Sequence, residues 1–136
     1  MAEQLILTLK ARIKGFHLIT RDIEDKLPLL PSVGLLHVYI KHTSAGLTIN
    51  ENADPTVRSD LDRGFDHLAP ENQPYYQHTV EGADDMPAHI KSSLVGSSVS
   101  VPITNGKLNL GTWQGIYLCE FRTQATPRTL VVTILC

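Results

Sequence analysis

Gly34-Leu35-Leu36-His37-Val38-Tyr39-Ile40-Lys41 runs without interruption into His42-Thr43-Ser44-Ala45-Gly46-Leu47-Thr48-Ile49-Asn50-Glu51. The first half is rich in branched and aromatic residues, which suits a strand. The second half opens on small and hydroxylic residues and closes on an amide and an acid. The pattern predicts a strand, a bend or bulge, and a second strand. If the second strand were unbroken, His42, Ser44, Thr48 and Asn50 would share one face, because alternate side chains point the same way. A polar face of that kind needs partners or a ligand, since burying it unpaired is costly. Two readings stay open: a hydrogen-bond network that shapes the bend, and a ligand site.

The flanking sequence builds a β-rich domain around this run. Residues 4–10 alternate, with Leu5, Leu7 and Leu9 on one face, and residues 13–18 suit a second strand. Thr20 is placed to cap a short helix that ends before Pro28 and Pro31. Asp54 followed by Pro55 starts another helix: the carboxylate caps free N–H groups, and proline at the first position loses no bond. Val57, Leu61, Phe65 and Leu68 recur at helical spacing and predict an inward-packed face. Residues 69–82 form a loop long enough to be functional. A further helix starts at Asp84 or Asp85, where one of the two carboxylates serves as the cap, and stops at Gly96. Asn105-Gly106 suits the tight turn of a hairpin. Residues 116–121 and 129–135 supply two more strands. The sum is α+β: a β-rich sandwich or half-barrel of about seven strands with two or three helices, in one domain over residues 1–136.

Composition removes several function classes. The net charge is −2 over 136 residues, so no overall basic field favours nucleic acid or an anionic membrane. No apolar run approaches the roughly 20 residues that span a bilayer. The N-terminus lacks a basic segment followed by a long apolar one, so the expectation is no signal peptide and a cytoplasmic location. Cys119 and Cys136 form no CxxC pair; Cys119 reads as a small core residue in a reducing compartment.

The candidate chemistry centres on His42, His78 and His89. His78 to His89 brackets Glu81, Asp84 and Asp85, and imidazole with carboxylate is a usual ligand set for zinc and similar ions. Asp85 and His89 stand four apart, on one face of a helix. His78 reaches them only if the long loop folds back. A third cluster, Asn109-Leu110-Gly111-Thr112-Trp113-Gln114-Gly115 with Glu120 and Arg122, places the lone tryptophan beside an amide between glycines. Those glycines permit tight turning or close approach of a ligand. His17, His37 and His67 read as core or surface residues. Ser44, Ser92 and Ser93 sit in no nucleophile elbow, which argues against a serine triad.

Three blocks resemble the YjbQ family in order: His42-Thr43-Ser44-Ala45 with Asn50-Glu51-Asn52 and Asp54-Pro55-Thr56-Val57; Glu81-Gly82-Ala83-Asp84-Asp85-Met86-Pro87 continuing through His89 to Leu94; and Gly106 through Gly111-Thr112-Trp113-Gln114. They cover most of the chain. The resemblance implies a compact, β-rich α+β fold, a homotrimer, and secondary thiamine-phosphate synthase activity. That reaction joins a hydroxymethylpyrimidine diphosphate to a thiazole phosphate and releases diphosphate. One departure stands out: many members carry a Gly-Pro-Arg-like turn where this chain has Gln124-Ala125-Thr126-Pro127-Arg128, so no role is carried over to Arg128.

Fitted to that chemistry, His42, Glu51, Gln114 and Glu120 are the catalytic candidates. Asn50, Thr112, Trp113, Lys91 and Arg122 are the candidates for contacting a phosphorylated small molecule, with Lys91 and Arg122 on its phosphate. His78, Asp85 and His89 are the candidates for a divalent metal. Their imidazoles favour zinc, whereas diphosphate chemistry commonly uses magnesium with oxygen ligands. The competing expectations are a non-catalytic small-molecule or metal-binding regulator and a metal-dependent hydrolase.

Overall fold

The computed structural model describes residues 1–136. Eight strands and three helices follow in the order β1 (Ala2–Leu9), β2 (Gly15–Leu18), α1 (Thr20–Glu24), β3 (Val33–Ile40), β4 (Ala45–Glu51), α2 (Pro55–Leu68), α3 (Asp85–Val95), β5 (Ser98–Thr104), β6 (Lys107–Leu108), β7 (Gln114–Glu120) and β8 (Arg128–Leu135). The α+β expectation holds, with eight strands in place of about seven. A five-stranded sheet is ordered β1-β8-β3-β5-β6, and a three-stranded sheet β2-β7-β4. Every pairing is antiparallel.

The main core lies between the sheets. Leu36, Val38 and Ile40 of β3 and Leu130, Val132 and Ile134 of β8 meet Leu47, Ile116 and Leu118 of the smaller sheet. The opposite face of β7 presents Tyr117 and Cys119 to a second cluster with Phe16, Ala88 and Phe121, packed under α2 and α3. Both faces of β7 are therefore covered. That explains why its sequence is continuously apolar where a half-exposed strand would alternate.

Several local expectations hold for the stated reason. The Asp54 carboxylate accepts from the Thr56 amide at 2.9 Å and Pro55 opens α2. Asn105 and Gly106 both take positive φ, 52° and 74°, in the turn between β5 and β6.

Others need correction. Thr20 does not cap α1; it is the first helical residue, and its hydroxyl accepts from the Ile116 amide at 2.8 Å, tying α1 to β7. Neither acid caps α3, because the Asp84 carboxylate turns to Thr123 and Arg122. Leu68 points to solvent, and no residue of α2 is fully buried, so its apolar stripe is only half-covered. The shared polar face of His42, Ser44, Thr48 and Asn50 does not form, because residues 41–44 lie outside both β3 and β4.

Gly46 fixes the distance between α3 and β4. A Cβ there would collide with the Val95 side chain and stand 2.7 Å from the Gly96 carbonyl oxygen. The same carbonyl accepts from the Leu47 amide at 3.1 Å, so the end of α3 is bonded to β4 through a contact that tolerates no side chain.

Candidate functional site

The long loop does fold back. His78 Nε2 lies 2.6 Å from Asp85 Oδ2, and His89 Nε2 lies 3.1 Å from the same oxygen. One ligand atom from each of the three residues falls within 4.8 Å of the others. Asp85 is almost wholly buried, while both imidazoles reach solvent. Asp85 Oδ1 receives Arg122 Nη1 at 2.6 Å. Arg122 also binds Asp84 through Nε at 2.9 Å and the Glu81 carbonyl through Nη2 at 3.0 Å. Burial works to raise the Asp85 pKa, but the hydrogen bond from His78 and the charges of His89 and Arg122 outweigh it and hold the carboxyl below its ordinary value. Asp85 is therefore ionised at neutral pH.

The orientation of His89 is set from behind. Its Nδ1 lies 2.9 Å from the Thr43 carbonyl oxygen. A carbonyl only accepts, so Nδ1 carries the proton, and in the neutral ring Nε2 is a bare lone pair. That lone pair faces a carboxylate oxygen, acceptor against acceptor. The conflict is resolved by a second ring proton, giving the imidazolium whose charge acts on Asp85, or by a metal cation at Nε2. A ring held by its second nitrogen on a backbone carbonyl is the usual support of a metal-ligating histidine.

A second cluster lies next to the first. Glu120 and Arg128 share an ion pair, with Nε to Oε1 at 2.7 Å and Nη2 to Oε2 at 2.5 Å. Register explains it: Glu120 shares its face of β7 with Leu118 and Ile116, Arg128 shares its face of β8 with Leu130 and Val132, and both faces look into the space between the sheets. His42 and Ser44 close this end, with Arg128 Nη2 donating to Ser44 Oγ at 3.1 Å. His42 and Thr43 line a groove of about 330 Å³ with His89, Ser92, Ser93, Gly96 and Ser97. No apolar side chain lines it.

The remaining candidates lie elsewhere in the chain. Ala45 pairs with Glu120, whereas Glu51 pairs with Gln114, so Asn50, Glu51 and Gln114 stand at the far end of β4 and β7. At six residues' remove that is about 20 Å within one chain. There Gln114 Oε1 accepts from the Gly111 amide at 2.7 Å, and Glu51 Oε2 accepts from the Asp54 amide at 3.2 Å. Asn50 Oδ1 accepts from the Glu51 amide at 2.8 Å. Asn52 donates to the Thr112 and Gln114 carbonyls, holding the loop that exposes Trp113. Lys91 is buried and bonded to Asp66 of α2 at 2.5 Å.

Sequence reasoning left Arg128 without a role, yet it is the most deeply placed cation of the site. A signal was present. Glu120 and Arg128 are opposite charges embedded in, or abutting, apolar strand runs, and such charges stay buried only when paired.

The fold and site define an antiparallel α+β protein with a histidine–carboxylate cluster at one end of two packed sheets. The chain belongs to the YjbQ family: the family model described as UPF0047 protein YjbQ-like matches residues 5–136. It is 53% identical over 133 residues to UPF0047 protein YjbQ of Salmonella typhimurium, covering 96% of each chain. It is 49% identical over 104 residues to UPF0047 protein YugU of Bacillus subtilis, covering 76% of each. The solved structure of an uncharacterized conserved YjbQ/UPF0047 protein from Clostridium acetobutylicum is similar with a TM-score of 0.82 and 42% identity, covering 96% of this chain and 99% of that one. A conserved hypothetical protein of Thermus thermophilus is similar with a TM-score of 0.81 and 36% identity, covering 93% of this chain and 97% of that one. None of these names carries an activity. No helix is long and apolar enough to cross a membrane.

Proposed function

We propose that this chain is a metal-assisted enzyme acting on a phosphorylated small molecule, and that its reaction is thiamine-phosphate formation of the secondary-synthase type. The carrying observation is the grouping of His78, Asp85 and His89, in which His89 Nδ1 is committed to the Thr43 carbonyl and Nε2 is turned to the Asp85 carboxylate, the arrangement of a supported metal ligand. His78, Asp85 and His89 would hold the ion, and two imidazoles with one carboxylate suit zinc better than magnesium. Such an ion neutralises charge on a departing diphosphate. In the reaction the bond from the pyrimidine methylene carbon to the diphosphate oxygen breaks, and that carbon bonds to the thiazole nitrogen. The electron pair of the broken bond leaves with diphosphate. The chain's part is to orient Asp85 through Arg122, hold His89 through Thr43, and line the groove with hydroxyls. By resemblance the working form is a homotrimer, an arrangement that would let residues at the far end of β4 and β7 approach the groove of a neighbouring subunit.

A metal-dependent hydrolase is the second reading. It is favoured by the same donor set, because two imidazoles and a carboxylate with a free position also activate water.

The test combines elemental analysis of untagged protein with a thiamine-phosphate assay. Stoichiometric metal, turnover, and loss of both in His89→Ala are expected. Wild-type turnover in His89→Ala overturns the metal-assisted reading. A metal-loaded wild type that forms no thiamine phosphate overturns the synthase assignment in favour of the hydrolase or a non-catalytic binder.

A further inference from the structure

His42 stands in a different electrostatic position from His89. Its Nε2 lies 2.8 Å from the Thr129 amide nitrogen. A backbone N–H only donates, so Nε2 accepts, and the neutral ring carries its proton on Nδ1. Burial first, and then the charge of Arg128, hold the His42 pKa below its ordinary value of 6.5, so the neutral ring prevails at neutral pH. That Nδ1 faces Arg128 Nη1 at 3.4 Å. A guanidinium nitrogen is also only a donor. Two donors therefore confront each other with no acceptor between them.

The rest of Arg128 is satisfied. Nε and Nη2 are spent on Glu120 and Ser44, which leaves Nη1 as the nitrogen without an acceptor. Arg128 itself is 4% exposed, and His42 beside it lines the groove, so an acceptor reaches the pair from the His42 side. An oxygen at ordinary hydrogen-bond distance from both nitrogens would satisfy both. Meanwhile Lys91 and Arg122, the two phosphate contacts expected from the sequence, are engaged by Asp66 and by Asp84 and Asp85.

We infer that Nδ1–H of His42 and Nη1–H of Arg128 form a two-donor notch for one oxygen of a phosphate or diphosphate group. The inference deepens the reading above by naming the group that anchors the substrate, and it takes from that reading only the phosphorylated nature of the ligand. His42 and His89 line the same groove, so a diphosphate held at the notch extends toward the cradle of His78, Asp85 and His89. Its remaining oxygens meet the hydroxyl-lined wall of Ser92, Ser93 and Ser97. Because Glu120 already balances the charge of Arg128, the notch selects by donor geometry more than by net charge.

The test uses EDTA-treated protein, so that it reads the notch without a metal. Histidine ¹⁵N spectra are expected to show His42 as the Nδ1–H tautomer, with its signal moving on titration with inorganic diphosphate. His42→Leu and Arg128→Lys should each weaken diphosphate binding at least about tenfold, the scale of one charge-assisted hydrogen bond. Zinc binding at His78, Asp85 and His89 should stay as in the wild type. If Arg128→Lys fails to fold, His42→Leu and the tautomer carry the result. An Nε2–H tautomer, unchanged diphosphate affinity in folded His42→Leu, or diphosphate binding only with added metal overturns the notch. Metal-free diphosphate binding lost in His42→Leu, in a protein that binds no zinc, keeps the notch and overturns the metal cradle.

Discussion

Arg128 closes on Glu120 with two parallel hydrogen bonds, Nε to Oε1 at 2.7 Å and Nη2 to Oε2 at 2.5 Å, and both side chains are shut away from water. Removing one partner strands the other charge in the core. Glu120→Gln should therefore cost about 3–5 kcal/mol, the range for breaking a buried pair. Urea unfolding measures it, and a loss under about 1 kcal/mol would mean that water reaches the guanidinium.

The histidine–carboxylate cluster makes a second prediction. Asp85→Asn keeps the shape but removes the anionic oxygen that both imidazoles face. Zinc affinity by calorimetry should fall beyond the roughly 100-fold that marks the upper end for supporting residues. Unaltered affinity would place any ion elsewhere.

Gly46→Ala tests how α3 is seated. The new methyl meets Val95 and the Gly96 carbonyl, so α3 must shift on β4. A cost of about 1–3 kcal/mol is expected, as for overpacking. His89 rides on α3, so zinc affinity should fall with stability; a wild-type melting curve would refute the close contact.

Acid sensitivity should come partly from Asp66. Burial works to raise its pKa, but hydrogen bonds from Lys91 and Lys14 outweigh it and lower the value below 3.8. A depressed carboxyl contributes stability that is present above the unfolded value and lost as pH falls through the folded one. Asp66→Asn should therefore flatten the fall in stability below about pH 4 while lowering stability at pH 7. A variant as acid-sensitive as the wild type would assign that loss to other carboxyls.

The two thiols should separate cleanly. Burial pushes the Cys119 thiol far above its ordinary value of 9.0, whereas Cys136 is exposed. Ellman's reagent should titrate one thiol in the native protein and two in denaturant. Native reaction of both would show that the second core opens readily.

The strands were legible because their residues obey local rules: alternation in β1, the Asn105-Gly106 turn, and the Asp54-Pro55 helix start. The grouping of Asp85 with His89 was legible for the same reason, as a one-turn spacing. Arg128 was not, because its partnership with Glu120 depends on two strands in different sheets facing one another. Thr20 misled because a hydroxyl at a helix start can bond outward to β7 as well as inward to the helix. The candidates around Glu51 and Gln114 share a sequence style with those around His42, but strand length carries them to opposite ends.

The position of β8 has a consequence for how the molecule comes into being. It lies between β1 and β3, so the last strand of the chain must slot between two made much earlier. Pairing of this kind closes nearly the whole sequence into a loop and is intrinsically slow. Arg128 arrives on that strand, and until it docks Glu120 has no counter-ion and His42 no Thr129 amide to accept from. Maturation of the large sheet and maturation of the anion notch are thus one event: a nascent chain short of its final segment can hold neither the architecture nor the chemistry.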